Sequence, residues 1–154
     1  GTYYNNTYKK IASYGGYSSI GIETAVNKGS DVYLTWQYTA KFVASKLIEY
    51  NLTLDRVVFH NNLSGKDCPG TMRHANKCDM FMEMVACEYY VQKNFPGYTI
   101  TFTSSNPEVL DNTGRVVGEG PRETTQVNYT ITVSNGTTTA SQELSCLVIG
   151  TRNK

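Results

Sequence analysis

The chain has 154 residues, a formal net charge of +1, 40% hydrophobic residues and 18% charged residues. That length suits one domain or two small ones, and so much apolar content with so little net charge excludes a disordered chain. The many Thr, Gly and Asn exclude a coiled coil, near-neutrality argues against nucleic acid as a bulk electrostatic partner, and no apolar run reaches the roughly 18 residues of a membrane span.

At the start, Gly1-Thr2-Tyr3-Tyr4 has neither the basic opening nor the apolar stretch of a signal peptide. Gly1 in place of Met leads to the expectation of a processed or cut start. Ser19 to Val26 alternates and predicts a strand, with Ile20 and Ile22 on one face and Gly21, Glu23 and Ala25 on the other. The small neighbours of Glu23 leave room over that face. Asn27-Lys28-Gly29-Ser30 reads as a turn, after which Ser30 or Asp31 can cap a helix to about Tyr50. Its apolar stripe is Trp36, Ala40, Val43, Ala44, Leu47 and Ile48, at the 3.6-residue period. Leu54 to His60 predicts a second strand ending in a histidine, followed by a polar loop from Asn61 to Pro69. A second helix is expected from about Lys77 to Lys93, with Phe81, Met84, Val85, Glu88 and Val91 on related faces. Strand, helix, strand, helix is the α/β pattern.

The grammar changes at Phe95-Pro96-Gly97, a Pro-Gly turn that predicts domains 1–95 and 96–154. Beyond it, Tyr98 to Thr103 and Thr124 to Ser134 alternate in strand fashion. Shorter pieces lie at Val109-Leu110, Arg115 to Val117 and Leu144 to Ile149, with Asn135-Gly136 as a hairpin turn. Five or six short strands between turns predict an all-β sandwich.

The cysteines are Cys68, Cys78, Cys87 and Cys146, too sparse for a disulfide scaffold and not spaced as paired CxxC motifs. Cys146 reads as a buried thiol. The informative stretch runs from His60 through Ser64-Gly65-Lys66-Asp67 to Cys68-Pro69. A histidine and a cysteine across a tight Ser-Gly loop can both reach one metal ion, and zinc takes imidazole nitrogen and thiolate sulfur at about 2.0–2.3 Å. Lys66, two residues before Cys68, can point to the same side and there lower the thiolate pKa or hold an oxyanion. Taken singly, such a histidine is more often a hydrogen-bonded surface residue, and such a lysine a solvated charge. Together with Glu23 they point to metal-assisted chemistry. A rival arrangement is a closed structural zinc site from His60, Cys68, His74 and Cys78, though its spacing is not that of a standard finger.

Ser19-Ile20-Gly21-Ile22-Glu23, the following Ala/Val/Leu helix, Asp55-Arg56-Val57-Val58-Phe59-His60 and Ser64-Gly65-Lys66-Asp67-Cys68-Pro69 resemble, in that order, the type 2 N-acetylmuramoyl-L-alanine amidases. These share a fold with the peptidoglycan recognition proteins. The resemblance covers about residues 14–92. Residues 103–116, with Ser105-Asn106-Pro107-Glu108 and Asp111, Gly114 and Arg115, resemble bacterial Ig-like modules.

The resemblance implies a partial amidase-like mixed sheet with helices followed by an Ig-like sandwich. It implies a cell-wall hydrolase that cleaves the amide between N-acetylmuramic acid and L-alanine of peptidoglycan. His60 and Cys68 would ligate Zn2+, Glu23 would be the general base and Lys66 would hold the oxyanion. It also implies an extracellular or bacterial cell-wall location.

One departure matters. Family members carry a further zinc histidine on an upstream strand, and many carry a His-Ala-Gly-like motif about ten residues before the glutamate. This chain has only His60 and His74, and Ser13 or Tyr14 occupies the motif's place. The expectation is therefore an N-terminally truncated amidase domain with an incomplete zinc site and weak or no turnover. His74 is considered, and disfavoured, as a substitute third ligand. A non-catalytic wall-binding module or a surface adhesin is the alternative. The apolar face left by the missing segment predicts a homodimer or a rearranged packing against the Ig-like half.

Overall fold

The computed structural model describes residues 19–153 and combines helices with a three-stranded antiparallel sheet, a mixed α/β composition. The chain divides between Pro96 and Gly97 into two compact units. Among the described residues no helix is long and apolar enough to cross a membrane.

The first unit is helical. Helix α1 (Val32–Glu49) starts where Asp31 accepts a hydrogen bond from the Leu34 N–H at 2.9 Å, a side-chain cap for an otherwise unpaired donor. Asn51, at φ 51°, follows its end. A 3-10 turn (Leu54–Arg56) leads to two short helices, α2 (His60–Ser64) and α3 (Gly70–His74), and then to α4 (Cys78–Asn94). The stripe expected on α1 is the buried one at Trp36, Ala40, Val43, Ala44 and Leu47, while Ile48 lies at its exposed margin. From α4 come Phe81 and Val85, and from α3 Met72. The core is thus α1 on α4 with α3 closing one side. Gln92 of α4 donates to the Lys41 carbonyl at 3.1 Å, and the Tyr89 hydroxyl to the Leu52 carbonyl at 3.3 Å.

Neither expected strand of this unit forms. Residues 20–26 have no ladder partner, and Ile20, Ile22 and Val26 are exposed. Leu54 to His60 is a 3-10 turn, three extended residues and the first residue of a helix. The physical reason is pairing. Alternation prepares a segment for a sheet, but a strand exists only when a neighbour satisfies its N–H and C=O groups. The mixed sheet of the amidase-like expectation is therefore absent among the described residues. The polar loop after His60 is also shorter than expected, because Asn61 to Ser64 continue α2.

The second unit is a single sheet of β1 (Thr99–Ser104), β2 (Thr125–Ser134) and β3 (Thr139–Val148) in the order β1-β2-β3. The β2–β3 connection is a four-residue turn. Asn135 Oδ1 accepts from the N–H groups of Thr137 (3.0 Å) and Thr138 (2.7 Å), and Gly136 takes φ 87°. That geometry answers to the Asn-Gly pair, since Asn bonds its own following backbone and Gly reaches positive φ without cost.

Five or six strands in two facing sheets are not what forms. The segments at 109–117 make only a bridge, Leu110 with Val116. The Asp111 carboxylate and Gly114 (φ 79°) fold that piece into a tight turn, too short to seed a second layer. Leu110, Val127 and Val148 are buried together, with Phe102, Val109 and Cys146 partly buried beside them.

Candidate functional site

The stretch from His60 to Pro69 is a closed loop, and its closure is the work of Asn61. The Asn61 backbone N–H donates to the Cys68 carbonyl at 2.9 Å, and its side-chain Nδ2 donates to the Lys66 carbonyl at 2.8 Å. Gly65, at φ 74°, ends α2 and returns its N–H to the Asn61 carbonyl at 2.8 Å. Only a residue tolerant of the left-handed region turns the chain there, which explains the Ser-Gly pair. At the other end, Asn62 Oδ1 accepts the Phe59 N–H at 3.0 Å, and the Phe59 ring lies 6.1 Å from that of Phe81. His60 is thereby anchored to the helical core through its neighbour.

The backbone at His60-Asn61 and at Cys68 is therefore adjacent, although eight residues separate the two candidate ligands. Both His60 and Cys68 are half-buried, and Lys66 is exposed on the same loop. The Cys68–Pro69 peptide is cis. Glu23 lies in the exposed segment before α1, outside any strand. Among the described residues no three His, Cys, Asp or Glu side chains converge as a group able to hold a metal ion. Ser13 and Tyr14, at the place of the family's upstream motif, lie outside the described residues.

The rival four-ligand cluster of His60, Cys68, His74 and Cys78 is not assembled among the described residues. His74 Nε2 stands 2.8 Å from Asp67 Oδ2, and Arg73 pairs with the same carboxylate. Cys78 packs against the helical core, and burial pushes its thiol pKa up, with Arg73 partly opposing. Among the described residues His74 joins no group of three side chains able to hold a metal ion.

Two residues shape this loop without a role legible in the sequence: Asn61, a polar loop residue, and Asp67, part of the Ser64 to Pro69 motif. An Asn beside the histidine and facing a Ser-Gly turn is the signal that a clamp is available. Nothing in the spacing announces that Asp67 pairs with Arg73 and His74. In the second unit a depression of about 120 Å³ is lined by Thr103, Ser105, Asn128, Tyr129, Thr130 and Glu143. Small-molecule pockets run to roughly 300 Å³ or more, so it is too small for a glycopeptide.

Compared with known proteins, the chain matches no family model, no curated protein and no solved structure.

Proposed function

We propose that the chain is a peptidoglycan amidase-like protein whose helical unit corresponds to the later part of such a domain. The observation that carries this is the Asn61 clamp, which sets His60, Lys66 and Cys68 on one small loop. An imidazole and a thiol brought to one loop neck are a donor pair suited to zinc. The donor set is half of what a catalytic centre uses, since such sites have three protein ligands and an open position. Residues 1–18 contain no His, Cys, Asp or Glu, so they supply no third ligand of those types. The residues of this chain thus do not fit a complete zinc centre, and no hydrolytic step is derived through one.

What the loop offers on its own is recognition. Lys66 supplies an exposed cation for the carboxylate or lactyl carbonyl of a muropeptide. The missing ligand favours the second reading, a wall-binding module without turnover, over an active hydrolase. The second unit would be an appended Ig-like module, supported by its antiparallel strands and Asx turns rather than by a sandwich. An extracellular or cell-wall location follows from the substrate.

Three measurements on the whole chain decide this. Binding to purified peptidoglycan that is weakened by Lys66→Ala is expected, together with little or no release of stem peptide. Zinc uptake is expected to be weak, with His60→Ala and Cys68→Ser abolishing it. Robust, zinc-dependent release of stem peptide would replace the binding reading with an active amidase. Neither zinc nor peptidoglycan binding would defeat both.

A further inference from the structure

Strand β3 is one edge of the sheet, and its ladder partner is β2. The register decides which of its backbone groups point outward. The Ser105 N–H bonds to the Asn128 carbonyl at 2.9 Å, in line with the pairs Thr103–Thr130 and Thr101–Thr132. β2 therefore bonds β1 through Asn128, Thr130 and Thr132. Alternate residues of an antiparallel strand bond to opposite neighbours. β2 thus bonds β3 through Val127, Tyr129, Ile131 and Val133, which face Cys146, Leu144, Gln142 and Ala140. The N–H and C=O groups of Thr139, Ser141, Glu143, Ser145 and Leu147 point away from β2.

The two edges of the sheet differ. β1 has six residues, and its outward Ser104 N–H is taken by Asn112 Oδ1 at 2.9 Å. β3 has ten residues, no Pro, Lys or Arg, and one charge, Glu143. Beyond that one charge it carries no proline, lysine or bulge, the devices by which natural edges avoid pairing.

We propose that β3 pairs antiparallel with β3 of a second copy of this chain, across a two-fold axis at Leu144, joining two sheets into one. Outward groups sit on odd-numbered residues, so odd must face odd. Two such registers pair nine of the ten residues, one centred on Glu143 and one on Leu144. The first sets two carboxylates directly opposite, and like charges so placed destabilise a sheet. The second sets Glu143 against Ser145, Gln142 against Cys146 and Leu144 against itself. A two-fold normal to the sheet keeps like faces together, so the two exposed Leu144 side chains meet. A foreign extended peptide would have to match this edge, whereas a second copy matches it by symmetry. The proposal places self-association at the sheet edge of the second unit, and it does not depend on the peptidoglycan reading.

The test uses the full chain in sedimentation equilibrium over a range of concentrations, with circular dichroism confirming the fold of each variant. A dimer is expected. Leu144→Cys places cysteines in a non-hydrogen-bonded pair with Cα atoms about 4.5 Å apart, within disulfide reach. It is expected to cross-link through residue 144 on mild oxidation, as located by peptide mapping because the chain carries four free thiols, whereas Ser145→Cys, which keeps Glu143 and faces residue 143 of the other copy, does not cross-link through residue 145. Ser145→Lys faces Glu143 of the other copy and tightens the dimer; Ser145→Glu loosens it. Each contact occurs twice, giving shifts of roughly 2- to 30-fold in the dissociation constant. Ser145→Pro removes an outward N–H without touching the β2 ladder and is expected to abolish the dimer. A monomer at every concentration overturns the proposal, and so does cross-linking through residue 145 of Ser145→Cys that exceeds that through residue 144 of Leu144→Cys. Equal shifts from Ser145→Lys and Ser145→Glu overturn it too. A monomer that takes up unrelated extended peptides along β3 would assign the edge to a foreign strand and likewise overturn it.

Discussion

Phe81 joins the helical core to the His60 loop, and replacing it tests both roles. Its side chain is 5% exposed, packed among residues of α1 and α3, and its ring meets that of Phe59, the residue before His60. Phe81→Ala removes a buried aromatic and leaves a cavity, a change that costs about 3–5 kcal/mol. Total stability for a small domain is about 5–15 kcal/mol, so the helical unit would keep only part of its margin. For a unit of this size each kcal/mol moves Tm by about 4–8 °C, so a drop of about 12 °C or more is expected. The assay is thermal unfolding of the full chain followed by far-ultraviolet circular dichroism, where the helices dominate. The sheet has a separate core at Leu110, Val127 and Val148, so its transition should stay in place. Phe81→Leu nearly conserves volume and should cost less than about 1.5 kcal/mol. Tyr90→Ala, on the same helix but 61% exposed, should fall within about 0.5 kcal/mol of the parent. A helical transition that moves no further for Phe81→Ala than for Tyr90→Ala would refute this account of the core.

Asn61→Ala deletes the side-chain bond to the Lys66 carbonyl and should cost about 0.5–1.5 kcal/mol. The loop neck then opens more often, and mass spectrometry should show faster alkylation of Cys68, with helical content unchanged; an unchanged rate would remove the clamp from the argument. Asp111 accepts hydrogen bonds from the Thr113 hydroxyl and from the N–H groups of Thr113 and Arg115, and these hold its carboxyl below its ordinary pKa. A depressed folded pKa stabilises above the unfolded value of about 3.9, and that contribution is lost as pH falls through the folded value. Acid titration of the sheet's Tm should therefore be steeper for the parent than for Asp111→Asn below about pH 4. Gly150 is buried, and a Cβ there would run into the backbone of Arg122, Glu123 and Thr124. Gly150→Ala should cost the second unit at least about 1–3 kcal/mol, the usual range for overpacking, read as a lower Tm of the sheet transition alone.

Helices α1 and α4 were legible because helical hydrogen bonds are local and an apolar stripe at 3.6 residues names its own buried face. Asp31 and the Asn135-Gly136 turn were legible for the same reason, since each bonds within a few residues of itself. His60, Lys66 and Cys68 stood out as residue types at close spacing. Their gathering depended on Asn61 reaching both Lys66 and Cys68, a contact that the loop makes only once it is folded.

Residues 20–26 and 54–60 show the limit of pattern. The first alternates and the second is rich in Val and Phe, and both read as strands, yet one is exposed coil and the other a 3-10 turn running into a helix. Composition, periodicity and turn chemistry set what each segment is able to become. Tertiary structure decided which segments found a partner, because a β-strand's hydrogen bonds lie on another piece of chain and no amount of alternation supplies it.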